Sequence, residues 1–240
     1  MKAVQVKPFG DRAVMLVFKA VLDPAINQQV HALWRFLQNK SIPGLTYGIP
    51  SNHDLTLVFK SPDHASQAFI QLSELTQNFS DHPVEESGKN IRIPVCYEPE
   101  FGLDLYALST QFQLSIPEII AAHSSTSYHV FSMGFLPGFA YLGSLPKQLQ
   151  IGRKAQPRAL VPAGSVAIAA GQTGIYPQDT PGGWHIIGRT PIPIFDPSEA
   201  EPFLFAPGDR VQFKSISISS FREMVDRVNH GQFNWQSCYV

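Results

Sequence analysis

Cysteine is almost missing from this chain. Cys96 and Cys238 are the two among 240 residues, and they fall in different regions, so they build no disulfide framework. Charge is scarce too. Asp, Glu, Lys and Arg make up 15% of the residues, against roughly a quarter in an ordinary soluble domain. The signs cancel to a formal −1, which argues against a protein held to nucleic acid or membrane by bulk electrostatics. No run approaches the about 18 consecutive apolar residues of a membrane span, and the opening MKAVQVKPFGDRAVML holds no apolar signal core. The expectation is a soluble, cytoplasmic protein with no nucleic-acid or membrane partner. The uncharged surface hints at a face covered by a protein partner.

Standard chemical signatures are absent as well. The chain has no GxxxxGK(S/T) phosphate loop, no GxGxxG fingerprint, no HExxH, no paired CxxC and no GxSxG elbow. His31, His53, His64 and His82 show no metal-ligand spacing, so no metal site is expected. If ATP is used, it is bound without a standard motif or held by a partner.

What the chain does have is one dense stretch of glycine, proline and aromatics between residues 132 and 191. It reads SMGFLPGFAYLGSLP, then PRALVPAGSVAIAAGQTGIYPQDTPGGWHIIGRTP. Glycine opens backbone conformations closed to other residues, and proline fixes one dihedral and removes a donor. Short apolar runs at 166–170 and 185–188 alternate with these turns. The pattern describes loops of fixed shape, which suit either an aromatic-lined polar pocket or the corners of a small β-barrel.

The flanking pattern divides in two. Residues 3–18 read as a hairpin turning at Gly10-Asp11. Asp23-Pro24 and Ser61-Pro62 each open a helix with a capping side chain and a first-turn proline. Residues 45–49 and 55–59 read as strands between those helices, and 91–96 as the strand after them. From the second strand onward this is the β-α-β-β-α-β order of a ferredoxin-like domain. The breaker-rich 82–88 marks a boundary between domains 1–86 and 87–240. Two short helices are expected at 103–112 and 115–123, then a strand at 127–133. Further strands follow at 192–195, 203–205 and 210–213, with a tail helix at 221–228. The fold class is α+β: a small α/β domain followed by a mostly-β barrel or sandwich.

The runs GFLPGFAYLGSLP, PRALVPAGSVAIAAGQTGIYPQDTPGGWHIIGRTP and APGDRVQF, with the opening FGDRAVMLVF, closely resemble the allophanate hydrolase subunit 1 / KipI family. The resemblance spans essentially the whole chain. It implies a ferredoxin-like N-terminal domain followed by a cyclophilin-like β-barrel. It also implies a B-type subunit of an ATP-dependent 5-oxoprolinase, a hydrolase inactive alone. Its partners would be a KipA-like C subunit and a LamB/YcsF-like A subunit, opening the lactam of 5-oxoproline to glutamate. ATP, with magnesium, would be shared with or held by a partner subunit. Two other roles belong to the same resemblance: binding and inhibiting a sensor histidine kinase, or serving as a carboxyltransferase-like subunit of urea and allophanate metabolism.

Opening a lactam after phosphorylation of its carbonyl oxygen needs cations and N–H groups on the developing charge. Arg189 and Arg158 are the candidate charged groups, and His123 a candidate base. Gln172, Thr173, Tyr176, Gln178, Gly182 and Gly183 are candidates for binding the lactam or its carboxylate, with Trp184, Phe135 and Tyr141 as walls. Four of them have a structural alternative. Arg158 suits an ion pair with a structural carboxylate, His123 a satisfied helix-end histidine, and Phe135 and Trp184 a core.

Overall fold

The computed structural model describes residues 4–77, 79 and 88–240. The chain separates into two compact units, Met1–Glu86 and Ser87–Val240. The proposed boundary stretch 82–88 lies outside the described residues except for Gly88.

The first unit contains β1 (Gln5–Phe9), β2 (Ala13–Val17), α1 (Pro24–Gln38), β3 (Leu45–Pro50), β4 (Asp54–Phe59) and α2 (Pro62–Gln77). Strict alternation in β2 and β4 sends Val14, Leu16, Leu55, Leu57 and Phe59 to one face. Helix α1 covers that face with Val30, Leu33 and Leu37, and α2 with Ala65, Ala68 and Leu72. Asp23 caps α1 by accepting from the Ala25 N–H at 2.8 Å, with Pro24 in the first turn.

The sheet order is β1-β2-β4-β3, antiparallel throughout. The ferredoxin-like reading needs the strand after α2 to return beside β2. Here β1 holds that place, and its register runs from Gln5 opposite Val17 to Phe9 opposite Ala13. The expected sixth element, β5 (Asn90–Val95), instead pairs in parallel with a strand of the second unit. A tight turn at Gly10 makes hairpin pairing of β1 the local choice, and it fills the edge before β5 is reached.

In the second unit β5 is followed by α3 (Leu105–Phe112), α4 (Ile116–Ser124), β6 (Ser127–Met133) and β7 (Ala140–Gly143). Then come β8 (Arg158–Val161), β9 (Ser165–Ala169), β10 (Gln172–Ile175), β11 (Thr180–Gly182) and β12 (His185–Arg189). The unit ends with β13 (Arg210–Ser215) and α5 (Ile218–Asn229). Ser115 and Glu118 form a reciprocal capping box at the start of α4.

Seven strands form one sheet in the order β12-β9-β10-β7-β6-β13-β5. Its two edges are tied at Cys96 and Arg189, whose backbones exchange two N–H···O bonds of 2.9 Å. The sheet therefore curls into a nearly closed barrel. Gly188 permits the seam, because a Cβ there would lie 2.8 Å from Val95 Cγ1 and 2.9 Å from the Cys96 carbonyl. Ile93, Tyr128, Val130, Val166, Ile168, Ile187 and Phe213 fill the interior, packed with Leu105, Leu108 and Ile119 of α3 and α4. A separate ribbon pairs β8 with β11.

The segments expected as strands at 192–195 and 203–205 meet only in a single bridge, Phe195 to Phe203. Prolines 191, 193 and 202 remove the donors that a longer ladder needs. The described chain is a mixed α/β protein with five α-helices.

Candidate functional site

β9 sets the position of the site. All five of its residues are buried, with alternate side chains on opposite sheet faces. Val166 and Ile168 enter the barrel core, while Ala167 and Ala169 join a second cluster with Phe139, Val161, Tyr176, Trp184 and Ile186. Alanine on that outer face leaves depth for three large rings. Phe139 sits among them, edge-on to Tyr141 at 5.0 Å, Tyr176 at 5.4 Å and Trp184 at 5.5 Å. Such pairs add about 0.5–1.5 kcal/mol each beyond their burial.

A cavity of about 270 Å³ opens on this aromatic floor. Phe135, Phe139, Tyr141, Tyr176 and Trp184 supply its apolar walls. Pro181, Gly182 and Gly183 form one rim, and Arg153, Lys154 and Pro157 the other. Phe135 is 60% exposed and holds φ 71°, a left-handed conformation that costs a residue with a Cβ about 1–3 kcal/mol. Its ring stands edge-on to Phe139 at 5.6 Å and to Tyr176 at 6.5 Å. Gly182 has to be small: a Cβ there would lie 2.5 Å from the Tyr176 hydroxyl oxygen.

The cationic rim is fastened from below. The Asp104 carboxylate is buried, and both of its oxygens are occupied. Arg158 donates from Nη1 to Oδ2 and from Nη2 to Oδ1, each at 2.8 Å. Lys154 Nζ donates to Oδ1 at 2.9 Å, and the Ile186 backbone N–H to Oδ2 at 2.7 Å. Burial alone would raise the Asp104 carboxyl, but these bonds outweigh it and hold the group below its ordinary 3.8. The Lys154 N–H also donates to the Gly183 carbonyl at 2.8 Å, joining the two rims. His185 Nε2 donates to the Gly152 carbonyl at 3.2 Å, so this histidine steadies the loop from behind.

Arg153 is different. It is exposed, and no carboxylate among the described residues lies within ion-pair distance of it. Its charge is felt by the Tyr141 and Tyr176 phenols, both of which burial pushes up. The pocket lining contains no carboxylate, histidine, serine or cysteine. Its chemistry is therefore to bind, orient and neutralise negative charge. It offers no general base and no free nucleophile.

The sequence candidates separate accordingly. Phe135, Tyr141, Tyr176, Gly182, Gly183 and Trp184 come together in the pocket. Arg158 lies beneath it, tied to Asp104. Arg189 lies at the barrel seam, where its Nε donates to the Ala163 carbonyl at 2.8 Å. Gln178 is exposed in the loop before β11, and Gln172 is buried at the start of β10. None of these four is part of the pocket lining.

His123 and Thr173 are in the barrel interior, joined by one chain of hydrogen bonds. The Thr173 hydroxyl donates to the Ala167 carbonyl at 3.0 Å, so at 3.0 Å it accepts from His123 Nε2–H. Nδ1 is then the acceptor for the Tyr97 hydroxyl at 2.8 Å. The imidazole is fully buried, stacks on Phe213 at 4.5 Å, and is lowered by burial from 6.5 to about 3. A neutral, fully buried ring with both nitrogens engaged suits a structural role and not that of the expected base.

Asp104, Arg153, Lys154 and Pro157 were missed by sequence reading. A signal existed: three cations fall between 153 and 158 in a chain with only 15% charged residues. Nothing local linked them to Asp104, about fifty positions earlier.

The pocket, at about 270 Å³, presents no carboxylate to hold a magnesium ion. Among the described residues, no three of His, Cys, Asp and Glu gather as a metal site. No helix among them is long and apolar enough to cross a membrane.

Comparison with known proteins completes the picture. The B subunit of 5-oxoprolinase from Bacillus subtilis (strain 168) is 35% identical, covering 94% of this chain and 98% of that protein. The B subunit of 5-oxoprolinase from Escherichia coli O157:H7 is 39% identical, over 85% of this chain and 92% of that protein. Among solved structures, TTHA0988 superposes with a TM-score of 0.73 at 33% identity. That match covers 86% of this chain, which spans only 40% of that longer protein. Residues 4–205 match the family described as carboxyltransferase domain, subdomain C and D, and the chain belongs to that family.

Proposed function

We propose that this chain is the B-type subunit of an ATP-dependent 5-oxoprolinase and that its aromatic pocket receives the lactam substrate. The observation that carries the reading is the pocket itself. It has aromatic walls, a cationic rim and no catalytic base. Such a site holds a small anionic ring and stabilises charge on it, but cannot open an amide alone. That matches a protein which needs partners, here a KipA-like C subunit and a LamB/YcsF-like A subunit. The nucleotide and its magnesium belong outside this pocket, on a partner or a shared surface. Similarity to two proteins named as the B subunit of 5-oxoprolinase supports the same reading.

The test is reconstitution. The chain is co-expressed with its C and A partners, and ATP-dependent release of glutamate from 5-oxoproline is measured with and without it. Turnover that disappears when the chain is omitted supports the reading. Full turnover without it removes the chain from the enzyme and leaves kinase inhibition or a carboxyltransferase role as the roles to test.

A further inference from the structure

Three cationic side chains stand at or under the pocket, and they are not equivalent. Lys154 and Arg158 are committed to Asp104 by three bonds of 2.8–2.9 Å. Turning either toward a ligand leaves a buried carboxylate short of partners, which is costly. Arg153 bears no such commitment among the described residues, and its guanidinium reaches the electrostatic neighbourhood of two wall phenols. A planar guanidinium also matches a carboxylate with two parallel bonds, which an ammonium does not.

The remaining walls suit a flat, mostly apolar ring. Trp184 and Tyr141 meet edge-on, with centroids 6.0 Å apart at 62°, and make one continuous wall, while Gly183 keeps another side low, where even an added Cβ would remain 3.6 Å from Pro157. The cavity, at about 270 Å³, accommodates a five-membered ring.

We infer that Arg153 is the specificity-determining residue of this pocket: it receives the carboxylate of a small ring acid, while the ring itself packs on the wall formed by Trp184 and Tyr141. Asp104 is a positioning residue. It keeps Lys154 and Arg158 as fixed supports of the 153–157 loop, so that a single guanidinium faces the ligand. The inference rests on the oxoprolinase reading and names how that site selects its substrate.

The experiment measures KM for 5-oxoproline and for ATP separately in the assembled complex, with wild type, Arg153→Ala and Arg153→Lys. Loss of a charge-assisted pair raises KM for 5-oxoproline by roughly ten- to a hundredfold in Arg153→Ala. Arg153→Lys recovers part of the loss, and KM for ATP stays at the wild-type value. An unchanged KM for 5-oxoproline overturns the inference. So does a rise confined to ATP, which makes the pocket a nucleotide site. If the complex turns over fully without this chain, the oxoprolinase reading fails separately. Saturation-transfer NMR of 5-oxoproline on the full chain then decides. A signal in wild type that vanishes in Arg153→Ala keeps the inference, and no signal, or equal signals in both, ends it.

Discussion

Asp104 and Arg158 meet in a two-point grip, Nη1 to Oδ2 and Nη2 to Oδ1, both at 2.8 Å, with the carboxylate nearly sealed from solvent. One side chain of the α3 N-terminal region thereby fixes the loop that forms the cationic rim. Asp104→Asn leaves two partly buried cations without their counter-charge. It is expected to cost about 2–4 kcal/mol by chemical denaturation at neutral pH. The pH dependence follows from the sign of the shift. A carboxyl held below 3.8 when folded contributes fully above that value and loses its contribution as pH falls through the lower folded value. The stability gap between wild type and Asp104→Asn should therefore hold from neutral pH to about 5 and close only in stronger acid. A gap that closes near neutrality would show that Asp104 is not the ionised partner.

His123 acts in a different window. Its folded value of about 3 lies below the ordinary 6.5, so between these values the unfolded chain takes up a proton that the folded chain does not. Stability should fall as pH drops through that range, by on the order of a few kcal/mol. The ring itself should stay neutral, with the proton on Nε2. NMR of the His123 imidazole is expected to show flat shifts from about pH 8 to about pH 5. A titration near the ordinary value would mean that the Tyr97–His123–Thr173 chain opens to solvent, and would restore His123 as a candidate base.

Gly182 and Gly183 are adjacent, but they are expected to respond differently to a methyl group. At Gly182 the new carbon would lie 2.5 Å from the Tyr176 hydroxyl oxygen and 2.9 Å from its ring, and Tyr176 is wedged beside Phe139 with little room to retreat. Gly182→Ala should cost roughly 1–3 kcal/mol and shift the ring that forms the pocket floor. At Gly183 the nearest atom is 3.6 Å away, an ordinary contact, so Gly183→Ala should melt within about a degree or two of wild type. Equal losses in the two variants would mean that the Tyr176 ring does not limit the site.

How much of this was legible in the sequence depends on the range of the signal. Asp23-Pro24 and Ser61-Pro62 announced two helices, because capping chemistry is local. The aromatic and glycine members of the pocket were legible for the same reason, since they share one dense stretch. The pairing of β5 was not. Which strand fills a sheet edge is a competition between distant segments, and hairpin formation by β1 settled it. Asp104 was invisible as the anchor of Arg158, because nothing near either residue encodes the other. The apolar run at 166–170 marked a short strand, but not that its alanines face a second, aromatic cluster.

Arg189 separates the sequence reading from the structure most directly. As a cation within the glycine-rich stretch it was the leading candidate for holding a developing negative charge. In the fold its backbone closes the barrel against Cys96, and its Nε donates to the Ala163 carbonyl at 2.8 Å. Arg189→Ala keeps the backbone bonds and loses the side-chain one. The expected outcome is a stability loss of about 1 kcal/mol, with KM for 5-oxoproline within about twofold of wild type. Arg153→Ala should give the reverse: a large change in KM on a fold of unchanged stability, because an exposed side chain outside any ion pair supports little. If Arg189→Ala instead lowers turnover by roughly a hundredfold or more, about 3 kcal/mol of transition-state stabilisation, at wild-type stability, the charge-stabilising group lies at the seam. The aromatic pocket would then hold some other part of the assembly.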